Sequence, residues 1–109
     1  VADSPIKDYK NIMYSLHFYA KEWSHNEYLP AKLDYARKKG LPVMVTEFGM
    51  SDASGNGQIS TINTGKWLKR LDQTNVSYFC WSLTNKNEFS ALLAPGSSKT
   101  GNWKKKDLS

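Results

Sequence analysis

Three runs rich in β-branched and aromatic residues alternate with two helix-forming stretches, and this alternation constrains the fold more than any other feature of the sequence. Residues 12–19, Ile-Met-Tyr-Ser-Leu-His-Phe-Tyr, predict a strand. Almost every position is apolar or aromatic, the pattern of a strand buried on both faces. Residues 20–29 are mixed and polar and read as a loop. Residues 30–39 predict a helix opened by Pro30 and stopped by Gly40. Residues 42–48, Pro-Val-Met-Val-Thr-Glu-Phe, predict a second strand, and residues 49–58 a loop of small residues. Residues 59–73 predict a helix with Ile59, Ile62, Trp67, Leu68 and Leu71 apolar, weakened at Gly65 by about 1 kcal/mol relative to Ala. Residues 76–83, Val-Ser-Tyr-Phe-Cys-Trp-Ser-Leu, predict a third strand. Residues 1–11 form a polar lead-in with Pro5, and the chain after residue 83 is loop-rich, with a turn at Pro95-Gly96.

The order βαβαβ with short connections requires parallel strands joined by right-handed crossovers. With 109 residues there is room for one small domain. Three parallel strands leave two open edges, and two helices cannot comfortably cover both faces of the sheet. The expected architecture is therefore α/β but incomplete as a unit. The chain opens on Val1-Ala2-Asp3 without an initiator Met, which leads us to expect a processed product or a piece of a longer chain.

Composition narrows the chemistry. Hydrophobic residues make up 39% and charged residues 23%, which argues against disorder. No apolar run approaches the roughly 20 residues of a membrane-spanning helix, so no membrane partner is expected. The single cysteine, Cys80, excludes an internal disulfide and a cysteine-based zinc site. His17 and His25 are the only histidines, so neither metal nor other cofactor is expected. The net charge of +5 raises the question of nucleic acid, but only Arg37 and Arg70 among the 15 cations are arginine, the side chain best suited to reading bases. The runs Arg37-Lys38-Lys39 and Lys104-Lys105-Lys106 read as solvated faces, and no nucleic-acid partner is expected.

In α/β proteins the reactive groups gather at the C-terminal ends of parallel strands. Those ends carry His17 and Tyr19, Thr46 and Glu47, and Trp81 and Ser82. Strict alternation groups Met13, Ser15, His17 and Tyr19 on one face of the first strand. It likewise groups Val43, Val45 and Glu47 on the second and Ser77, Phe79 and Trp81 on the third. If these are one side of the sheet, an imidazole, a phenol, a carboxylate and an indole converge. Taken singly, a strand-end Glu is more often a turn or capping residue, a strand His more often structural, and Trp81 by default core. Together they suit sugar chemistry. An indole stacks on a pyranose face, a carboxylate attacks or stabilises an anomeric carbon, and phenol and imidazole orient it.

Three longer motifs carry a resemblance. Asn11-Ile-Met-Tyr-Ser-Leu-His-Phe-Tyr-Ala20 resembles the sixth barrel strand of bacterial-type cellulases of glycoside hydrolase family 5. Gly40-Leu-Pro-Val-Met-Val-Thr-Glu-Phe-Gly49 with Ser51-Asp-Ala-Ser-Gly-Asn-Gly57 resembles the seventh strand and its loop. Trp81-Ser-Leu-Thr-Asn-Lys-Asn-Glu88, Ser90-Ala-Leu-Leu93, Pro95-Gly96 and Thr100-Gly-Asn-Trp103 resemble the eighth strand and the closing segment. The resemblance implies that residues 1–109 are the C-terminal portion of a (β/α)8 TIM barrel, a secreted endo-β-1,4-glucanase that cleaves with retention. It implies Glu47 as the nucleophile, with His17 and Tyr19 lining the cleavage subsite and Tyr19 hydrogen-bonded to Glu47. Trp81 would stack the sugar there, Lys86 and Glu88 would bind the next sugar, and the Ser51-Asp52-Ala53 loop would flank that same subsite. No role carries over to Trp23, and Asn63 stands where many relatives have a helix glutamate.

The departure from the family lies in the second carboxyl. Retention needs two, about 5–5.5 Å apart. The family's acid/base sits in an Asn-Glu-Pro motif that this sequence lacks; its glutamates are Glu22, Glu27, Glu47 and Glu88. The resemblance therefore implies an isolated chain that turns over little or no native glucan, needing a missing N-terminal barrel portion or self-association through open sheet edges. The alternative expectation is a half-barrel that binds β-glucan through Trp81, Lys86 and Glu88, with Trp103 as a further aromatic contact, and does not cut it.

Overall fold

The computed structural model describes residues 1–109. Its elements are β1 (Tyr14–Tyr19), α1 (Trp23–Lys38), β2 (Val43–Gly49), α2 (Thr61–Gln73) and β3 (Tyr78–Cys80), followed by a single 3₁₀ turn at Lys105–Asp107. The three strands form one open parallel sheet in the order β1-β2-β3. The α/β order expected from the sequence holds. No helix is long and apolar enough to cross a membrane.

Both helices pack on one side of the sheet. Phe18, Val45 and Phe48 meet Leu33 of α1 and Trp67 and Leu71 of α2, with Ala20 and Val76 completing the core. Phe18 lies stacked between Phe48 (ring centroids 5.2 Å apart) and Trp67 (4.2 Å). The other side of the sheet is bare. Ser15 and His17 are exposed on β1, and Phe79 on β3. The expectation of a first strand buried on both faces is therefore corrected: its apolar residues alternate into one core, and no layer of this chain covers the opposite face.

Helix α1 is longer than its sequence signals suggest. Residues 23–29, read as loop, are helical, and Pro30 lies inside the helix instead of opening it. Two side chains of the first turns explain this. Asn26 Nδ2 donates to the carbonyls of Ala20 (2.9 Å) and Glu22 (2.8 Å), and its Oδ1 accepts from the Trp67 indole at 3.0 Å. His25 Nδ1 accepts the Tyr19 backbone N–H at 2.9 Å. These tertiary bonds fix the first turns in place of a capping side chain, which Glu22 does not supply. Helix α2 begins two residues later than expected, where the Ser60 hydroxyl accepts the Asn63 N–H. Asn63 itself pins α2 to the end of β1, donating to the Ala20 carbonyl at 3.1 Å.

Strand β3 is three residues, not the eight of the run 76–83. Trp81 N–H still donates to the Phe48 carbonyl at 2.8 Å. Beyond it the backbone finds other partners: Ser82 N–H bonds to Ser90, and the N–H groups of Leu92 and Leu93 bond to Ser82 and Thr84. The closing segment thus pairs with Ser82 and Thr84 and buries Ser90, Ala91 and Leu93.

Candidate active site

The pairing of β1 with β2 contains the feature that builds the site. Leu16 lies opposite Val45, but His17 lies opposite Glu47, so Thr46 is one residue too many. The β2–β3 pairing slips at the same place, between Val45 and Phe48. Such a bulge breaks the two-residue alternation and re-aims the side chains that follow it. Val45 is fully buried in the core and Phe48 nearly so, while Thr46 and Glu47 both turn to the bare face. Strict alternation had grouped Glu47 with Val43 and Val45. That grouping is corrected: the valines face the helices, and Glu47 reaches the side of His17 only through the bulge.

On that face three of the expected residues meet. The Tyr19 hydroxyl donates to Glu47 Oε1 at 2.6 Å. His17 Nδ1 lies 3.8 Å from Glu47 Oε2, beyond hydrogen-bonding reach. The other nitrogen of His17, Nε2, is 2.9 Å from Thr46 Oγ1, and Thr46 in turn bonds to the Ser15 hydroxyl. One carboxylate oxygen of Glu47 is thereby held, and the other has no bonded partner. Burial pushes the Tyr19 phenol well above its ordinary pKa, reinforced by the hydrogen bond to Glu47 and the negative charge there. Tyr19 therefore stays protonated, and a donor, across the neutral range.

Gly49 makes room for the phenol. A Cβ there would stand 2.6 Å from two carbons of the Tyr19 ring, so only glycine lets the ring lie across the backbone of β2. With His25 fixing its backbone N–H, Tyr19 is held from both ends. The sequence reading missed His25, Gly49 and the ladder from Thr46 to Ser15. The glycine and the threonine flank the signal residue Glu47, but no local pattern announces the close approach or the bulge.

The remaining candidates stand around this cluster. Trp81 follows β3 and is 45% exposed. Lys86 is exposed and makes no ion pair, with Glu88 or any other residue. Glu88 Oε1 accepts the Ser90 hydroxyl at 3.0 Å. Glu88 also lines a small cleft with Asn56 and Asn87. Ala53 is exposed on the β2–α2 loop, its N–H donating to Glu22 Oε1 at 2.9 Å. The loop is shaped by Asp52, whose carboxylate accepts the Ser54 N–H and hydroxyl. These bonds, with the Gly57 N–H, hold the Asp52 carboxyl below the usual range. No cluster of His, Cys, Asp and Glu is arranged to hold a metal. The largest cavity, about 630 Å³, lies elsewhere, between the N-terminal residues, the free edge of β1 and α1. It is lined mostly by apolar side chains and does not include Glu47, so it is not the candidate active site.

The chain as a whole is similar to known proteins. The family model described as "Cellulase (glycosyl hydrolase family 5)" matches residues 1–87. Endoglucanase 5 of Pectobacterium carotovorum subsp. carotovorum is 45% identical over 108 residues, which are 99% of this chain and 21% of that protein. An endoglucanase of Clostridium saccharobutylicum is 46% identical over 98% of this chain and 23% of its own length. The chain thus spans less than a quarter of the length of these two curated relatives. Among solved structures, cellulase Cel5C_n superposes with a TM-score of 0.89 at 40% identity, over 99% of this chain and 32% of its own. The catalytic domain of a Thermobifida fusca endoglucanase, solved in complex with cellotetraose, superposes with a TM-score of 0.83 at 27% identity, over 98% of this chain and 34% of its own.

Proposed function

The chain belongs to the cellulase family of glycosyl hydrolases, family 5, and from that premise we propose that it is the C-terminal portion of a retaining endo-β-1,4-glucanase barrel with Glu47 as its nucleophile. The observation that carries the reading is the carboxylate of Glu47, held by Tyr19 at one oxygen and open at the other, on the bare side of the sheet at the C-terminal strand ends. Oε2 attacks the anomeric carbon, the C1–O bond to the leaving sugar breaks, and a glycosyl ester forms on Glu47. Water then displaces the ester with retention. The Tyr19 hydrogen bond fixes the carboxylate rotamer, and His17 stands against the sugar in the same subsite. Trp81 stacks the pyranose ring, and Lys86, Glu88 and the Ala53 loop bind the neighbouring sugar.

The leaving oxygen needs a proton, and the Asn-Glu-Pro motif that supplies it in the family is absent from this sequence. Glu22 is engaged with the Ala53 N–H and Glu88 with the Ser90 hydroxyl. Without a general acid, turnover of unactivated glucan falls by about 10²- to 10⁴-fold. Full activity then requires a complementary barrel portion that brings the acid/base. Secretion, as for the family, is part of the same proposal.

A good leaving group separates the two halves of the chemistry. A 2-fluoro-cellobioside bearing dinitrophenolate needs no protonation on departure, and its fluorine slows hydrolysis of the ester. The expected result is a mass gain of one fluoro-cellobiosyl unit located on Glu47, absent in Glu47→Gln, with no release of reducing ends from carboxymethyl-cellulose. Glucan binding without any label would favour a non-catalytic binding unit. Robust turnover of native glucan by the purified chain would overturn the claim of incompleteness.

A further inference from the structure

Trp23, to which the family resemblance lends no role, is the most exposed of the four tryptophans. It is 68% exposed, against 45% for Trp81, 38% for Trp103 and 3% for Trp67. Its indole makes no hydrogen bond within the chain, and its one aromatic neighbour is Tyr28, itself 52% exposed, met edge to face at 5.6 Å. An edge-to-face contact orients the two rings and leaves broad apolar surface open to solvent. Trp23 opens α1 without serving its cap, since the residue before it supplies no capping bond. Neither the core nor the helix end accounts for it.

Its position does. The segment from Ala20 to Glu22 is laced to the loop after β2. Ala20 N–H donates to the Gly49 carbonyl (2.8 Å), Lys21 N–H to the Ser51 carbonyl (3.1 Å), and the Ala53 N–H to Glu22 Oε1 (2.9 Å). Trp23 therefore stands on the rim beside the loop that carries Ala53, four residues from the tyrosine that holds Glu47. Its Cα can be at most about 14 Å from that of Tyr19, a span of a few sugar rings. A polymeric substrate seated on Glu47 and Trp81 must leave the site across its rim.

We propose that Trp23, oriented by Tyr28, forms an accessory stacking platform for further glucosyl residues of the same β-glucan, outside the subsites formed by Trp81, Lys86 and Glu88. The proposal rests on the glucan reading of the site above. The ligand is uncharged, and the platform offers what an uncharged pyranose takes from an indole, a flat apolar surface against its C–H face.

The test uses cellohexaose as probe and reads the four indole N–H signals of the 15N-labelled chain, assigned by Trp→Phe substitution at each site. The expected result is that the Trp23 and Trp81 signals both move. The Trp67 signal, buried and bonded to Asn26, stays in place. Trp23→Ala is expected to weaken cellohexaose binding about threefold to tenfold, and Trp23→Phe to restore most of it. Movement of Trp81 with Trp23 unmoved overturns the platform and leaves the glucan reading standing. If neither moves at saturating probe, both fail. An equal loss of affinity in Trp23→Phe and Trp23→Ala also overturns the platform, since stacking tolerates one aromatic for another.

Discussion

At the scale of single residues, the site depends on how one phenol is seated. The ring of Tyr19 crosses β2 where Gly49 has no side chain, and its hydroxyl reaches Glu47 from there. Gly49→Ala would place a methyl 2.6 Å from the ring carbons, so the ring must move and the hydrogen bond with it. We expect labelling of Glu47 by the activated glycoside to slow about 10- to 100-fold, with about 1–3 kcal/mol lost in a urea melt from the overpacking. Tyr19→Phe removes the bond without the clash. It should slow labelling comparably while costing less stability, and undiminished labelling in either variant would contradict the seating argument. His17, Tyr19 and Glu47 were legible in the sequence as strand-end residues of suitable chemistry. The Tyr19–Glu47 hydrogen bond was implied by the family resemblance; the way Glu47 reaches that face was not. Alternation carries Glu47 to the face of Val45, and the extra residue at Thr46 reverses that. A bulge depends on the register of two strands distant in sequence, so one strand's pattern cannot contain it.

At the scale of elements, the sequence conveyed identity and order better than extent. The helices and strands were all anticipated, because each has a core-facing set of apolar residues. The start of α1 was not, because proline is the strongest local signal for a helix opening and here it lies in the interior. What overrules it is tertiary: Asn26 joins the end of β1, the first turn of α1 and Trp67 of α2. Asn26→Ala is expected to cost about 1–3 kcal/mol, because it strands the Trp67 indole N–H in a buried position. The measurement is the urea midpoint at unchanged slope; a midpoint equal to that of the parent would show that the helix start is held by packing alone. Strand β3 was read too long for a related reason. Its apolar run continues through Trp81 to Leu83, but after the Trp81 N–H, which still bonds to β2, the backbone of Ser82 and Thr84 pairs with the closing segment and not with a neighbouring strand.

At the scale of the whole molecule, the incompleteness inferred from two helices and three strands is visible as shape. The radius of gyration is 15.8 Å, where a compact domain of this length would have about 13 Å. Only 17 of 109 residues are buried, and Met13, Phe79, Trp81 and Leu83 are among many large apolar residues left exposed. Such a surface, with two free strand edges, drives association. Sedimentation of the purified chain at micromolar concentration should show species larger than 12.4 kDa, and a single monomeric boundary up to high concentration would speak against it. The order β1-β2-β3, all parallel, also sets an arithmetic on any such assembly. Copies joined edge to edge, β3 of one beside β1 of the next, add strands in multiples of three. Six or nine are reachable, but the eight of a (β/α)8 barrel are not. Self-association can therefore hide the apolar face without ever restoring that barrel's closure. A partner that does restore it must contribute five strands, which is not a multiple of three and which no number of identical copies supplies.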